Sequence, residues 1–441
     1  MPENPPERAR AVLLGVQLPG VSDPAFASSL YELERLARTL GLEVVGRVTQ
    51  KRSALAAAAV VGEGKLRELG RLTGGSGRVG RTPAGPAPAE EPPPAEPGAP
   101  GRPGVVLVDH DITPSQARNL ERATGVEVLD RSAVILAIFQ RHARSREARL
   151  QVEIARLAYL APRLRESAGG SDRQGGGIGG RGAGESAIEL DRRKLRDRIA
   201  ELRAELAAIE RDAGTRRRRR GDQQTAALVG YTNAGKSSWM RALTGSGVHV
   251  ADALFATLDT TVRALQPETQ PRILISDTVG FIERLPHDLV ASFRSTLDEA
   301  READLLLHVV DASDPAFPAQ IEVTRRVLAE IGAAESPRIL LLNKADRLEA
   351  ATRERLAAEW PDALLLSARA PADVALLRER VLAFFERGME EAELLVPYTL
   401  QRLVGEAHAA ARVLSETHDA DGTHLRLRAR PEVIARLRSA L

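Results

Sequence analysis

Residues 230–237 read Gly-Tyr-Thr-Asn-Ala-Gly-Lys-Ser and stand directly behind an apolar run, AALV at 226–229. A strand, a turn bounded by glycines, then Lys and Ser opening a helix is the pattern of a phosphate-binding loop. Gly230 and Gly235 let the backbone curl so that the N–H groups around Tyr231, Thr232, Asn233 and Ala234 face phosphates, and the following helix adds its positive end. Lys236 is expected to reach the β- and γ-phosphates, and Ser237 to ligate Mg²⁺. Downstream, short apolar strands at 273–275, 305–310, 339–342 and 364–366 each precede a helical pattern. Strands alternating with helices predict a doubly wound α/β domain over 225–388.

The chemistry lies at the ends of those strands. Asp277, Thr278, Val279 and Gly280 follow ILIS. An acid there can hold Mg²⁺ through its water shell, and the Gly280 N–H can meet a γ-phosphate. Asn343, Lys344, Ala345 and Asp346 follow ILLL. The Asp346 carboxylate only accepts, which suits the N1–H and N2–H₂ of guanine, while adenine offers no such pair. Asn343 is expected to bond the base edge and the stem of Lys344 to cover its face. Ser367, Ala368 and Arg369 follow LLL, with the Ala368 N–H available to guanine O6. In FATLD, Phe255, Ala256, Thr257, Leu258 and Asp259, Thr257 is the candidate switch threonine that closes on Mg²⁺ and γ-phosphate, with Thr260 and Thr261 as competitors. The expected metal ligands are thus Ser237 and Thr257, and the expected catalytic group is Lys236, Thr257, Gly280 and Asn233. These motifs stand in the order a GTPase needs, binding GTP and GDP.

The 441 residues are 43 % apolar but only 3 % aromatic, so the cores must be built of Leu, Val, Ala and Ile. The absence of cysteine excludes a disulfide scaffold, a zinc-thiolate site and a Cys nucleophile. No apolar run approaches the roughly 18 residues of a membrane span. A cytoplasmic, multidomain protein without a membrane span is expected. Residues 1–130 show an N-terminal α/β pattern, with strands at 11–16, 42–48, 105–108 and 126–129 and a helix over 114–124. Between 71 and 104, 17 of 34 residues are Gly or Pro, which predicts a disordered insertion. A long helical zone begins near Arg131, with Pro162 expected at its end. A second helix carries Leu195, Ile199, Leu202, Leu206 and Ile209 at heptad spacing. The two predict an antiparallel hairpin over 131–220, with the stretch 168–184, which holds nine glycines, at its tip. The stretch 141–220 holds 21 Lys or Arg against 12 Asp or Glu, an excess that suggests a polyanionic partner or a solvated helical arm. After acids at 390–393, a small α/β tail over 394–441 shows a helix pattern at 400–414, a strand at 424–427 and a helix at 432–441.

The segments GYTNAGKSS, FATLD, SDTVGFIERLPHDLVASFRSTL and NKAD resemble the HflX family of translational GTPases. So do VVGEGKLREL at 60–69, SQARNLE at 115–121, SREARLQVEIARLAYLAPRL at 145–164 and GRGAGESAIELDRRK at 180–194. The resemblance spans nearly the whole chain except the Gly/Pro insertion. It implies a GTP hydrolase that binds the ribosome, chiefly the large subunit and its RNA, and splits or rescues stalled or idle ribosomes, acting as a monomer. The family often has Pro after FATLD, whereas Thr260 stands here. Two other readings compete: a GTPase of large-subunit assembly, and a GTP-switched RNA-binding module with little turnover.

Many GTPases place a water-orienting Gln directly after the glycine of D-x-x-G. That position is Phe281, which cannot bond water, so slow basal hydrolysis is expected. Asn233 resembles the phosphate-loop Asn of potassium-stimulated GTPases, and it either helps hold K⁺ or braces the loop.

Overall fold

The protein is described by a computed structural model covering residues 9–79, 101–168, 183–219, 223–245, 254–255, 257–258, 261–284 and 294–441. It divides into two compact units, the first holding residues 1–206 and the second 207–284 with 293–441.

The first unit opens with β1 (Arg10–Gln17), α1 (Asp23–Thr39), β2 (Glu43–Lys51), α2 (Glu63–Thr73), β3 (Val105–Val108), α3 (Pro114–Thr124) and β4 (Glu127–Asp130). The four strands are parallel in the order β2-β1-β3-β4. The central strand β1 is buried almost throughout, which is why it reads as an unbroken apolar run. Ser22 caps α1, whose Leu30, Leu33 and Leu36 turn inward, and a Thr113–Gln116 capping box starts α3. The start of the Gly/Pro-rich stretch belongs to this core. The α2 helix runs to Thr73, whose buried hydroxyl donates to the Thr124 carbonyl at 2.8 Å, and the Gly77 N–H donates to the Ala123 carbonyl at 2.8 Å. Composition alone hid this, because glycine serves a close turn as readily as a linker. Residues 80–100 of the expected insertion lie outside the described residues.

The single helical zone expected from Arg131 is two helices, α4 (Arg131–His142) and α5 (Arg146–Ala168). Ser145 starts the second, its hydroxyl accepting from the Ala148 N–H at 3.0 Å. Pro162 lies inside α5 and does not end it. Side chains on either side of the proline tie the helix to the end of β4. Tyr159 Oη donates to Asp130 Oδ1 at 2.8 Å, and Arg163 donates to Asp130 Oδ2 at 2.6 Å while stacking 3.6 Å above the Tyr159 ring. These anchors offset the backbone bond the proline removes. The next helix, α6 (Ala183–Arg219), runs antiparallel to α5: Arg146 pairs with Glu205 at 2.6 Å and Arg198 with Glu153 at 3.4 Å, so rising numbers meet falling ones. Leu202 and Leu206 are buried. The glycine-rich tip at 169–182 lies outside the described residues.

In the second unit, β5 (Gln224–Val229), α7 (Lys236–Thr244), β6 (Thr261–Ala264), β7 (Ile273–Asp277), α8 (Arg294–Glu302), β8 (Leu305–Asp311), α9 (Phe317–Glu330), β9 (Arg338–Asn343), α10 (Ala350–Glu359), β10 (Leu364–Leu365) and α11 (Pro371–Glu386) form a doubly wound domain. The order is β10-β9-β8-β5-β7-β6, parallel except for the antiparallel edge strand β6. Only four residues long and partly exposed, β6 carries no buried-strand signal. Thr261, a competitor for the switch role, belongs to it and pairs with Asp277.

The chain ends in β11 (Glu390–Val396), α12 (Gln401–Ala410), β12 (Arg412–His418), β13 (Thr423–Ala429) and α13 (Pro431–Ser439), with antiparallel order β11-β13-β12. The acids at 390–393 are therefore part of a strand. Ala392, Leu394 and Val396 point inward while Glu391 and Glu393 alternate outward, and Glu391 accepts from Arg426 at 2.9 Å. The helix pattern expected over 400–414 stops at Ala410, and β12, exposed along nearly its whole length, lacks the alternation that would reveal it. Among the described residues no helix is long and apolar enough to cross a membrane.

Asp130 also caps α4, accepting from the Ala133 N–H at 2.8 Å. Asp130→Ala should destabilise the first unit by about 3 kcal/mol, because Arg163, Tyr159 and a helix N-terminus lose one shared acceptor. Urea unfolding followed by circular dichroism checks this.

Candidate functional site

The turn from β5 to α7 is shaped by close backbone approach. At Gly230 (φ 143°) a Cβ would stand 2.1 Å from the Val309 carbonyl oxygen, and at Gly235 (φ 104°) 2.2 Å from Asn343 Nδ2. No other residue type fits either position. Lys236 is buried, and its ammonium donates to the carbonyls of Gly230 (3.1 Å) and Tyr231 (2.9 Å), so the loop closes on its own lysine. Burial pushes the Lys236 pKa down to about 8, with the Asp277 charge opposing the fall. An anion in the loop restores the charged form.

Three oxygens meet beside it. Ser237 Oγ donates to Asp277 Oδ2 at 2.8 Å and lies 2.7 Å from Thr257 Oγ1. Burial raises the Asp277 pKa, against the pull of Lys236 and the two hydroxyls. Asp277 Oδ1 is buried with no hydrogen-bond partner among the described residues. Two hydroxyls and a carboxylate with one unused oxygen form a set of hard oxygen donors that fits Mg²⁺. Thr257 is in contact with Ser237, whereas Thr261 lies in β6; Thr260, like Ala256 and Asp259, lies outside the described residues. Leu258 and Val279 are buried, and the Thr278 hydroxyl donates to the Leu228 carbonyl at 2.7 Å, so that side chain serves the sheet.

At the carboxyl ends of β9 and β10 a pocket is lined by Asn233, Gly235, Lys344, Asp346, Ala368 and Arg369 together with Ser238 and Arg347. Ser367 Oγ donates to Asp346 Oδ1 at 2.6 Å and holds that carboxyl below its usual range. The other oxygen remains on the pocket side, with Arg369 at 3.9 Å. Asn343 also lines this pocket, and its side chain is tied to the phosphate loop. Its amide donates to the Ala234 carbonyl (2.8 Å) and accepts from the Ala368 N–H (3.3 Å), bracing the base end against the phosphate loop. The Ala368 N–H is thereby already engaged. Lys344, in the left-handed region (φ 64°), donates to the Asn233 carbonyl at 2.9 Å and pairs with Asp311 at 2.6 Å. Asp311, and Asp373, which accepts from the Ser367 N–H at 2.7 Å, are supporting residues. Asp311 ends a strand in the same way as Asp277 and Asn343, which is the signal that could have marked it.

Residues 225–344 match the family model for a 50S ribosome-binding GTPase, 142–220 that for the middle region of a GTP-binding GTPase, and 27–77 with 99–140 that for its N-terminal region. The GTPase HflX of Gluconacetobacter diazotrophicus is 58 % identical over 452 residues, covering 100 % of this chain and 99 % of the relative. The chain belongs to the HflX family. The HflX of Escherichia coli is 42 % identical over 322 residues, covering 73 % of this chain and 70 % of the relative. A GTP-binding protein from the archaeon Sulfolobus solfataricus, solved with GDP, aligns at 23 % identity and a TM-score of 0.43 over 85 % of this chain and 97 % of its own. As an HflX-family GTPase, the protein binds GTP and hydrolyses it to GDP and phosphate.

In this HflX-family site Asp346→Asn exchanges one acceptor oxygen for a donor. It should weaken GTP binding by about 1–3 kcal/mol and bring the GTP and ATP affinities together. Competition titration against a fluorescent guanine nucleotide measures both.

Proposed function

We propose that the protein acts in the cytoplasm as a monomer on the ribosome, chiefly on the large subunit and its RNA. There it couples GTP binding and hydrolysis to the splitting or rescue of stalled or idle ribosomes. The observation that carries this reading is the match of 225–344 to the 50S ribosome-binding GTPase model, on a domain in which Ser237 meets Thr257 and Asp277. The excess of basic residues over 141–220 supports an RNA-rich partner, since phosphate contacts dominate such binding.

Within this reading Ser237 and Thr257 hold Mg²⁺, with Asp277 as its acidic support. When bound, the ion neutralises charge developing between the β- and γ-phosphates. Lys236 contributes a second positive charge, and the Gly280 N–H stands ready for a γ-phosphate oxygen. The residue after Gly280, Phe281, is buried and bonds no water, so these residues bind and polarise the nucleotide but leave the attacking water poorly oriented. Contact with the ribosome supplies the missing order.

We propose that Asn233, at φ 60° in the loop, helps hold K⁺ beside the phosphates; its backbone carbonyl braces Lys344. Basal hydrolysis should be slow, and faster in K⁺ than in Na⁺ buffer of equal ionic strength. Equal rates in the two buffers would leave Asn233 with the bracing role alone.

Sucrose-gradient sedimentation of mature ribosomes with the protein and GTP tests the main proposal. Splitting predicts loss of the intact particle in favour of subunits. Unchanged mature particles with binding only to immature large subunits would favour an assembly role. Replacing 169–184 with a neutral Gly/Ser link should preserve GTP binding while sharply lowering splitting and ribosome-stimulated hydrolysis.

A further inference from the structure

The two residues behind Gly230 do something that a phosphate cradle does not require. Tyr231 and Thr232 are buried, and the hydroxyl of each is taken by the backbone of another segment. Tyr231 Oη accepts from the Glu283 N–H at 2.8 Å, and Thr232 Oγ1 accepts from the Phe255 N–H at 2.9 Å. Glu283 lies three residues beyond Gly280, and Phe255 two residues before Thr257. One hydroxyl therefore grips the segment that carries the γ-phosphate N–H, and the other grips the segment that carries the candidate Mg²⁺ threonine.

The backbone completes the clamp. The Thr232 N–H donates to the Phe281 carbonyl at 2.7 Å, and the Phe281 N–H donates to the Gly230 carbonyl at 3.1 Å, which pairs Tyr231 with Phe281 as a short parallel bridge. Gly280 is pressed between them: a Cβ there would stand 2.8 Å from Thr232 Cα and 3.0 Å from Lys236 Nζ. The gripped segments include residues in costly conformations. Phe255 (φ 57°) and Arg284 (φ 55°) both occupy the left-handed region, where a non-glycine residue persists only if its surroundings hold it.

We infer that Tyr231 and Thr232 are positioning residues for GTP hydrolysis. Their hydroxyls latch the backbone at Glu283, behind Gly280, and at Phe255, ahead of Thr257, and so set how these two residues meet a γ-phosphate. They act through Gly280 and Thr257, and their hydroxyl bonds to Glu283 and Phe255 are separate from the bonds of Asn343, Lys344 and Ser367 that brace the base pocket. In a site whose residue 281 cannot orient water, the placement of these two backbone segments is the main lever the phosphate loop has on the rate. Removing one hydroxyl loosens one segment while the cradle itself stays formed.

The test compares Tyr231→Phe and Thr232→Val with the parent and with Thr232→Ser, using the full chain without ribosomes. Single-turnover hydrolysis of GTP, KM for GTP and Kd for GDP are measured at saturating Mg²⁺. Tyr231→Phe and Thr232→Val should each lower the hydrolysis rate constant about tenfold while KM and the GDP Kd stay within about twofold. Thr232→Ser, which keeps the hydroxyl, should recover most of the rate lost in Thr232→Val. Parent-level hydrolysis in both deletion variants would overturn the inference. So would a fall in GDP affinity that matches the fall in rate, because the hydroxyls would then merely support the cradle, and so would failure of Thr232→Ser to recover the rate.

Discussion

A lysine ammonium held almost wholly out of water is the constraint on which the second unit turns. An isolated buried charge costs several kcal/mol, and Lys236 meets that cost with two carbonyls of its own loop and the field of Asp277. Both carbonyls reach it only because the chain turns at Gly230 with no side chain against Val309. The strand before and the helix after must then leave the turn at fixed angles. The same burial that lowers the Lys236 pKa favours a polyanion in the loop, which would restore the charged form.

Asp277 links this constraint to the oxygen cluster. Its charge supports Lys236, one oxygen accepts from Ser237, and the other is buried without a partner among the described residues. Such an orphan is expensive in a purely structural cluster, and a divalent cation would resolve it. Its place at the last residue of β7 lets the sheet set its position, with Thr278 fixed behind it by the Leu228 carbonyl.

What the sequence disclosed and what it hid divide along physical lines. Strands buried on both faces, such as β5 and β8, read directly as apolar runs, and the phosphate loop could be placed because its glycines answer to local sterics. Thr257 is the candidate over Thr260 and Thr261 on sequence position, and the contact with Ser237 separates it from Thr261 in β6. The strands β6, β11 and β12 were hidden because their outer faces meet water, so charge and exposure masked their period. Pro162 reads as a helix end by backbone rules, yet Tyr159 and Arg163 on Asp130 hold the helix through it. Asn343 shows the limit most clearly. Its amide can bond a base and brace a loop at once, and the 2.8 Å bond to Ala234 is a tertiary contact that no local pattern announces.

That brace divides the site into a stiff part and a responsive part. The base pocket and the phosphate loop are locked together by Asn343 on Ala234 and Ala368, by Lys344 on Asn233 and Asp311, and by Ser367 on Asp346 and Asp373. Most of these bonds join side chains to fixed backbone at strand ends, and several involve a charge, the stronger class of hydrogen bond. On the switch side Tyr231 and Thr232 hold by single neutral hydroxyls, together with two backbone bonds to Phe281, while Ser237 meets both Thr257 and the Asp277 carboxylate. Neutral bonds of this kind contribute about 1 kcal/mol each, within reach of reversal by a nucleotide phosphate or a macromolecular partner. Guanine recognition therefore rests on the stiff half. The half that must change with the state of the γ-phosphate rests on contacts weak enough to change.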